Sequence, residues 1–311
     1  MNLLSLFGFK EKRALGLDIT DHTFIYTQLS GEGKSAKLIS YGKKDIPDGV
    51  VLDGRVQDDG VILSLLREIQ KETKQTSVFV SLPDSLGSFF KIIIPKVPYA
   101  DIRDHIEIKL KEMVLFAYDE MILGFKVTKD NDKDNKLEVE AIVVPEEVGY
   151  VYKKLLMQSG FVDIHFRTNA QASAKAVILD DENPHMVVVL EDNNATVSMV
   201  QKGDIKQAHK FKYENHDLYD KVHAHHHSWN KEASDSDSKE EGLKCITLCG
   251  NKADMERLEG LAKKLKTKVN HPDMWNGIFD FSKDIPEISP EDSLIYVIAL
   301  GLAREHLDDS I

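Results

Sequence analysis

The chain has 311 residues, 42% of them hydrophobic, and a formal net charge of −12. That length suits about two domains of roughly 150 residues each. The acidic balance disfavours nucleic-acid backbones and anionic headgroups as partners, and no run approaches the ~20 apolar residues of a membrane span.

The start, Met1 to Phe9, is short and apolar, and Lys10, Lys12 and Arg13 follow it. A signal peptide has the reverse order, so export is not expected. Residues 14–19, 23–29 and 36–41 read as three strands of an antiparallel meander. Ile62, Leu65, Leu66 and Ile69 then form the stripe of an amphipathic helix over 61–74. A buried strand follows at 76–82, stopped by Pro83. The order is β-β-β-α-β.

Residues 88–166 break that order. A strand at 89–94 lies before Pro95 and Pro98, and a helix at 99–116 carries Ile102, Ile106, Leu110 and Met113 on one stripe. Strands at 121–128 and 137–144 flank a charged loop. A helix at 146–158 ends near Gly160, and a last strand runs over 162–166. A small-residue helix at 169–179 leads onward.

The second half repeats the first. Strands are predicted at 186–191, 196–201 and 205–213, a helix at 218–229, a strand at 245–248 and a helix at 254–265. A repeat of this size points to a duplicated architecture. Cys245 and Cys249, the two cysteines of the chain, share one side of their strand. They cannot complete a zinc site and read as buried hydrophobes of a reducing compartment. Residues 231–242 lack a large apolar side chain and are expected to be a disordered loop. Ser289-Pro290-Glu291-Asp292 is a helix-start signal, and Gly301 within that helix implies close backbone packing.

Several segments narrow the fold. Gly16-Leu17-Asp18-Ile19, Pro47-Asp48-Gly49-Val50, Ser81-Leu82-Pro83, Tyr118-Asp119-Glu120, Leu248-Cys249-Gly250 and the run from Asp292 to Ala303 occur in one order. In that order they resemble PilM, the actin-like assembly-platform family of type IV pili. The resemblance implies an α/β, actin-like (RNase H-like) fold with two duplicated β-β-β-α-β lobes. The first lobe would comprise 1–82, 167–184 and a C-terminal helix at 290–308. An inserted α+β subdomain would span 83–166, and the second lobe 185–289.

The same resemblance implies ATP or ADP with Mg²⁺ between the lobes. Asp18, Thr20, Asp21 and Thr23 would form the first phosphate turn, Glu191, Asn193, Asn194 and Thr196 the second, and Gly250, Asn251 and Lys252 the adenine-side turn. Phosphate turns need exposed amides, which glycine favours. Here Thr20 and the 190–196 turn lack the expected glycines, and Glu191 and Asp192 add negative charge. Binding is therefore expected to be weak or lost. No residue is assigned to activate water, so turnover is at most weak.

The family also captures the cytoplasmic tail of the membrane protein PilN. Phe89, Phe90, Ile92, Leu115, Phe116 and Tyr118 are the candidate wall for such a peptide. The expected role is a cytoplasmic scaffold at the inner membrane face, tied to the membrane through its partner, with self-association left open. The competing reading is an active actin-like ATPase that polymerises or switches, as the related FtsA family does. In His223-Ala224-His225-His226-His227, the first and last histidines sit at i and i+4 and could share a metal on a helix, but the stretch reads as an exposed one that binds metals adventitiously, and no metal site is assigned.

Overall fold

In the computed structural model the described residues are 12–31, 36–82, 88–113, 121–131, 134–177, 183–192, 194–201, 204–214, 216–235, 243–253, 255–275, 278 and 288–309. Of the expected site residues, Asn193, Leu115, Phe116 and Tyr118 lie outside them, as does the side chain of Phe89.

The meander forms as expected: β1 (Arg13–Ile19), β2 (Thr23–Ser30) and β3 (Lys37–Asp45) pair antiparallel. A small hairpin follows, β4 (Val51–Leu52) and β5 (Arg55–Val56). Its turn is Asp53-Gly54, both at positive φ, the strongest short hairpin signal a sequence carries. Helix α1 (Asp59–Thr73) starts on Asp58, whose carboxylate accepts from the amides of Gly60 at 2.9 Å and Val61 at 3.2 Å. It buries Ile62, Leu66 and Ile69, each stabilising by about 1.5–3 kcal/mol. Strand β6 (Ser77–Ser81) then pairs parallel with β1.

Strand β7 (Ser88–Pro95), helix α2 (Tyr99–Met113) and strands β8 (Met121–Asn131) and β9 (Lys136–Pro145) form a separate unit. Its sheet has the order β7-β9-β8, and one face packs on α2 through Ile92, Ile94, Leu123, Val139 and Ile106. This unit is narrower than the expected 83–166. Helix α3 (Glu146–Ser159) puts Tyr152, Leu155 and Leu156 into the core under β1 and α1, and β10 (Asp163–Arg167) pairs parallel with β6. Strand β10 thus completes the first sheet, β10-β6-β1-β2-β3, and α3 packs in its core.

Helix α4 (Asn169–Val177) leads into the second sheet. Strands β11 (His185–Glu191), β12 (Asn194–Gln201) and β13 (Asp204–Lys212) form a meander. Helix α5 (Leu218–Asp235), β14 (Cys245–Gly250), α6 (Met255–Leu265) and β15 (Lys268–Asn270) follow, giving the order β13-β12-β11-β14-β15. Strand for strand, it matches the first sheet. Helix α5 runs six residues past the expected end at Trp229, so residues 231–235 are helical rather than loop.

The C-terminal segment is one turn of 3₁₀ helix, Asp292–Tyr296, running into α7 (Val297–Asp309). Ser289 caps it, accepting the Asp292 amide at 3.0 Å. Helix α7 packs on the first sheet while α4 packs on the second, and the two helices cross against each other. A Cβ on Gly301 would fall on the Ala172 carbonyl of α4. One on Gly16 of β1 would fall on the Ala299 carbonyl of α7. Gly16 is thus required by helix packing, whatever the turn after it does. One apolar cluster runs through both lobes along this crossing.

Candidate functional site

Parallel strands β1, β6 and β10 end together, and their register aligns Asp18, Ser81 and Arg167 in a row. Ligands of open α/β sheets gather at such carboxyl ends. Asp18 is 1% exposed and its Oδ1 accepts the Ser81 hydroxyl. Arg167 turns away: its guanidinium lies over the Phe79 ring at 4.5 Å and its Nε donates to Glu305 at 2.6 Å.

The turn after β1 is closed on itself. The Thr20 hydroxyl accepts the amides of His22 at 3.2 Å and Thr23 at 2.9 Å, and the Thr20 amide donates to the Thr23 carbonyl at 3.0 Å. Asp21 accepts the Gly54 amide at 2.9 Å. The Gly54 carbonyl in turn accepts the buried Tyr152 hydroxyl at 2.9 Å. Burial, and secondarily the Asp21 charge, push that hydroxyl's pKa upward. The sequence reading missed Gly54 as a clamp; Asp53-Gly54 was the signal for it.

In the second lobe Glu191 pairs with Asn194, leaving a two-residue turn whose first residue, Asp192, has φ +44°. Thr196 is buried, paired two residues down the strand with Val189. The third turn folds back on this one. Asn251 accepts the Asp192 amide at 3.1 Å and donates to its carboxylate at 3.2 Å, while the Lys252 amide donates to the Leu190 carbonyl at 3.3 Å. Gly250 has φ +104°, and a Cβ there would strike the Leu190 carbonyl. The glycine serves this close approach. Finally, His22 Nε2 of the first turn lies 3.9 Å from Asp192 Oδ2 of the second.

The structure therefore brings together Asp18, Thr20, Asp21 and Thr23 in one lobe, and Glu191, Asn194, Gly250, Asn251 and Lys252 in the other. The amides of Thr20, His22, Thr23, Gly54, Asp192 and Lys252 already have acceptors within the protein. A triphosphate would have to displace those bonds and sit among Asp21, Glu191 and Asp192. Such a donor set fits an anion poorly.

The expected peptide wall is also changed. Ile92 is 3% exposed and belongs to the core against α2, and Phe90 packs on the same cluster. Side chains alternate along a strand, so the free face of β7 carries Ile93, 55% exposed. Ile92 is thus taken up by the core, and Ile93 is the exposed side chain of this strand. Both edge strands of this sheet are without a pairing strand among the described residues. The register of β8 on β9 is broken near Val127, whereas β7 pairs without interruption from Ser88 to Pro95. Bulges blunt an edge against further pairing, so β7 is the straighter template.

The chain matches no protein-family profile and no curated protein sequence. Solved structures do match. The PilM–PilN type IV pilus biogenesis complex contains a chain that superposes with a TM-score of 0.79 at 13% identity, covering 96% of this chain and 99% of that one. The fold is actin-like, and the likeness to PilM runs through nearly the whole chain. Two further solved structures match less closely. A Bacteroides thetaiotaomicron protein with an actin-like ATPase fold and unknown function gives a TM-score of 0.50 at 11% identity, over 85% of this chain and 92% of that one. The ethanolamine utilization protein EutJ of Carboxydothermus hydrogenoformans gives 0.51 at 9% identity, over 95% and 90%. Among the described residues no helix is long and apolar enough to cross a membrane.

Proposed function

We propose that this chain is a scaffold of a type IV pilus or related secretion platform, acting at the inner face of the cytoplasmic membrane. Its partner is the cytoplasmic tail of a PilN-like membrane protein, and membrane contact is made through that partner. The observation that carries this reading is the superposition on a chain of the PilM–PilN complex over 96% of this chain and 99% of that one. The tail binds as an extended strand along the outer edge of β7, with main-chain hydrogen bonds for affinity and Ile93 for side-chain contact. The cleft between the lobes binds ATP or ADP with Mg²⁺ weakly or not at all, because its amides are already engaged, and it does not turn ATP over.

Two measurements test the reading separately. Titrating synthetic tails of PilN-like proteins into the chain should give saturable binding that Ile93→Lys weakens at least about tenfold. Failure of every tail to bind the unaltered chain would remove the scaffold role. Millimolar Mg-ATP should leave the melting temperature unchanged, whereas a ligand at a hundredfold excess over its Kd stabilises by about 2.7 kcal/mol. A rise of several degrees would favour a nucleotide-switched ATPase instead.

A further inference from the structure

Helix α5 carries histidines at 223, 225, 226 and 227, and they divide by face. His225 packs inward, stacked 4.6 Å from His209 and 5.5 Å from Phe211 of β13. His226 is also partly buried, with Nε2 at 3.1 Å from the Thr267 hydroxyl and 3.3 Å from Asn230 Nδ2. Both rings are committed to packing. His223 and His227 are not: they are exposed, one helical turn apart, and their ring planes lie within 4° of parallel with centroids 6.2 Å apart.

Residues at i and i+4 share a helix face, one above the other. An ion bound to two imidazoles at about 2.0–2.1 Å from each nitrogen sits between such rings after small rotations of exposed side chains. We propose that His223 and His227 form a two-point chelate for a borderline transition-metal ion of the Zn²⁺, Ni²⁺ and Cu²⁺ class. Neutral imidazole suits these ions, and Ca²⁺ and Mg²⁺ prefer oxygen. Asp220, one turn earlier, does not join the set because its carboxylate is held by Lys264 of α6 at 2.6 Å. Among the described residues no group of three or more His, Cys, Asp or Glu is placed to hold a metal. The remaining coordination positions therefore fall to water, and Cu²⁺ binds more tightly than Ni²⁺ or Zn²⁺. The ion ties one turn of α5 to the next and stabilises the folded state by mass action. This site is independent of the scaffold reading.

The test is calorimetric titration of the full chain, without an affinity tag, with NiCl₂ and with ZnCl₂. One ion should bind per chain and raise the melting temperature. His223→Ala and His227→Ala should each weaken binding at least about tenfold, while His216→Ala, on a residue paired to Glu214 outside the helix, leaves it unchanged. His223→Gln and His227→Gln, with circular dichroism as a check on helix content, repeat the test without loss of side-chain bulk. Binding that survives all four substitutions, or no binding at hundreds of micromolar metal, would overturn the site.

Discussion

The two lobes share one strand order yet treat their equivalent turns differently. The turn after β1 is welded into its lobe: Asp21 holds Gly54, and Gly54 holds Tyr152 of α3. Among the described residues the turn after β11 is held by side-chain bonds from its neighbour, Asn251 on Asp192, at the surface. One repeat also carries a whole sheet between β6 and α3, where the other passes from β14 to α6 within a few residues. One copy of a duplicated fold can thus carry an added sheet and a braced turn while the other keeps a short connection.

The largest effect expected lies where the lobes meet. Gly301→Ala should destabilise by about 3 kcal/mol or more, because a methyl group there meets rigid backbone of α4. Denaturant unfolding should register it as a lowered midpoint for the whole chain, and a loss confined to one lobe would mean that the crossing does not couple them. Next comes pH. His306 is buried, receives the Leu15 amide on Nδ1 at 3.2 Å and stacks on Phe79 at 4.6 Å. Burial holds its pKa below the ordinary imidazole value. With the folded value below the unfolded one, its neutral form is fully accommodated above about pH 6.5 and stability falls as pH drops further. Thermal melts from pH 7.5 to 5 should therefore fall more steeply for the unaltered chain than for His306→Gln. His225 and His226, also lowered by burial, place the same sensitivity in the second lobe, so some slope should persist in that variant.

Smaller effects compare the turns. Tyr152→Phe removes a buried hydrogen bond and should cost about 1 kcal/mol in equilibrium unfolding. Asn251→Ala removes bonds at an exposed turn and should cost less than about 0.5 kcal/mol. Equal losses in the two variants would erase the contrast between a welded and an open turn.

Much of this was legible in the chain. Alternation marks the meanders, the Ile62–Leu66–Ile69 stripe marks α1, and Gly301 within a helix signals its close contact. What escaped has physical reasons. Strand β15 is three residues long and only half-buried, too short for periodicity to register. Helix α3 and β10 were read as part of the insertion because local pattern does not say which sheet a strand joins. Ile92 and Ile93 are adjacent and alike, so only the pleat decides which faces α2. The closure of the turn after β1 rests on the Thr20 hydroxyl reaching two amides, a geometry that composition does not encode.

The crossing of α4 and α7 has a consequence for synthesis. His306 contacts Leu15 and Ser77, and α7 covers β1, β2 and β6. While the ribosome is still making the second lobe, the first sheet has one face bare. That face is covered only once α7, which follows the whole second sheet in the chain, has been made.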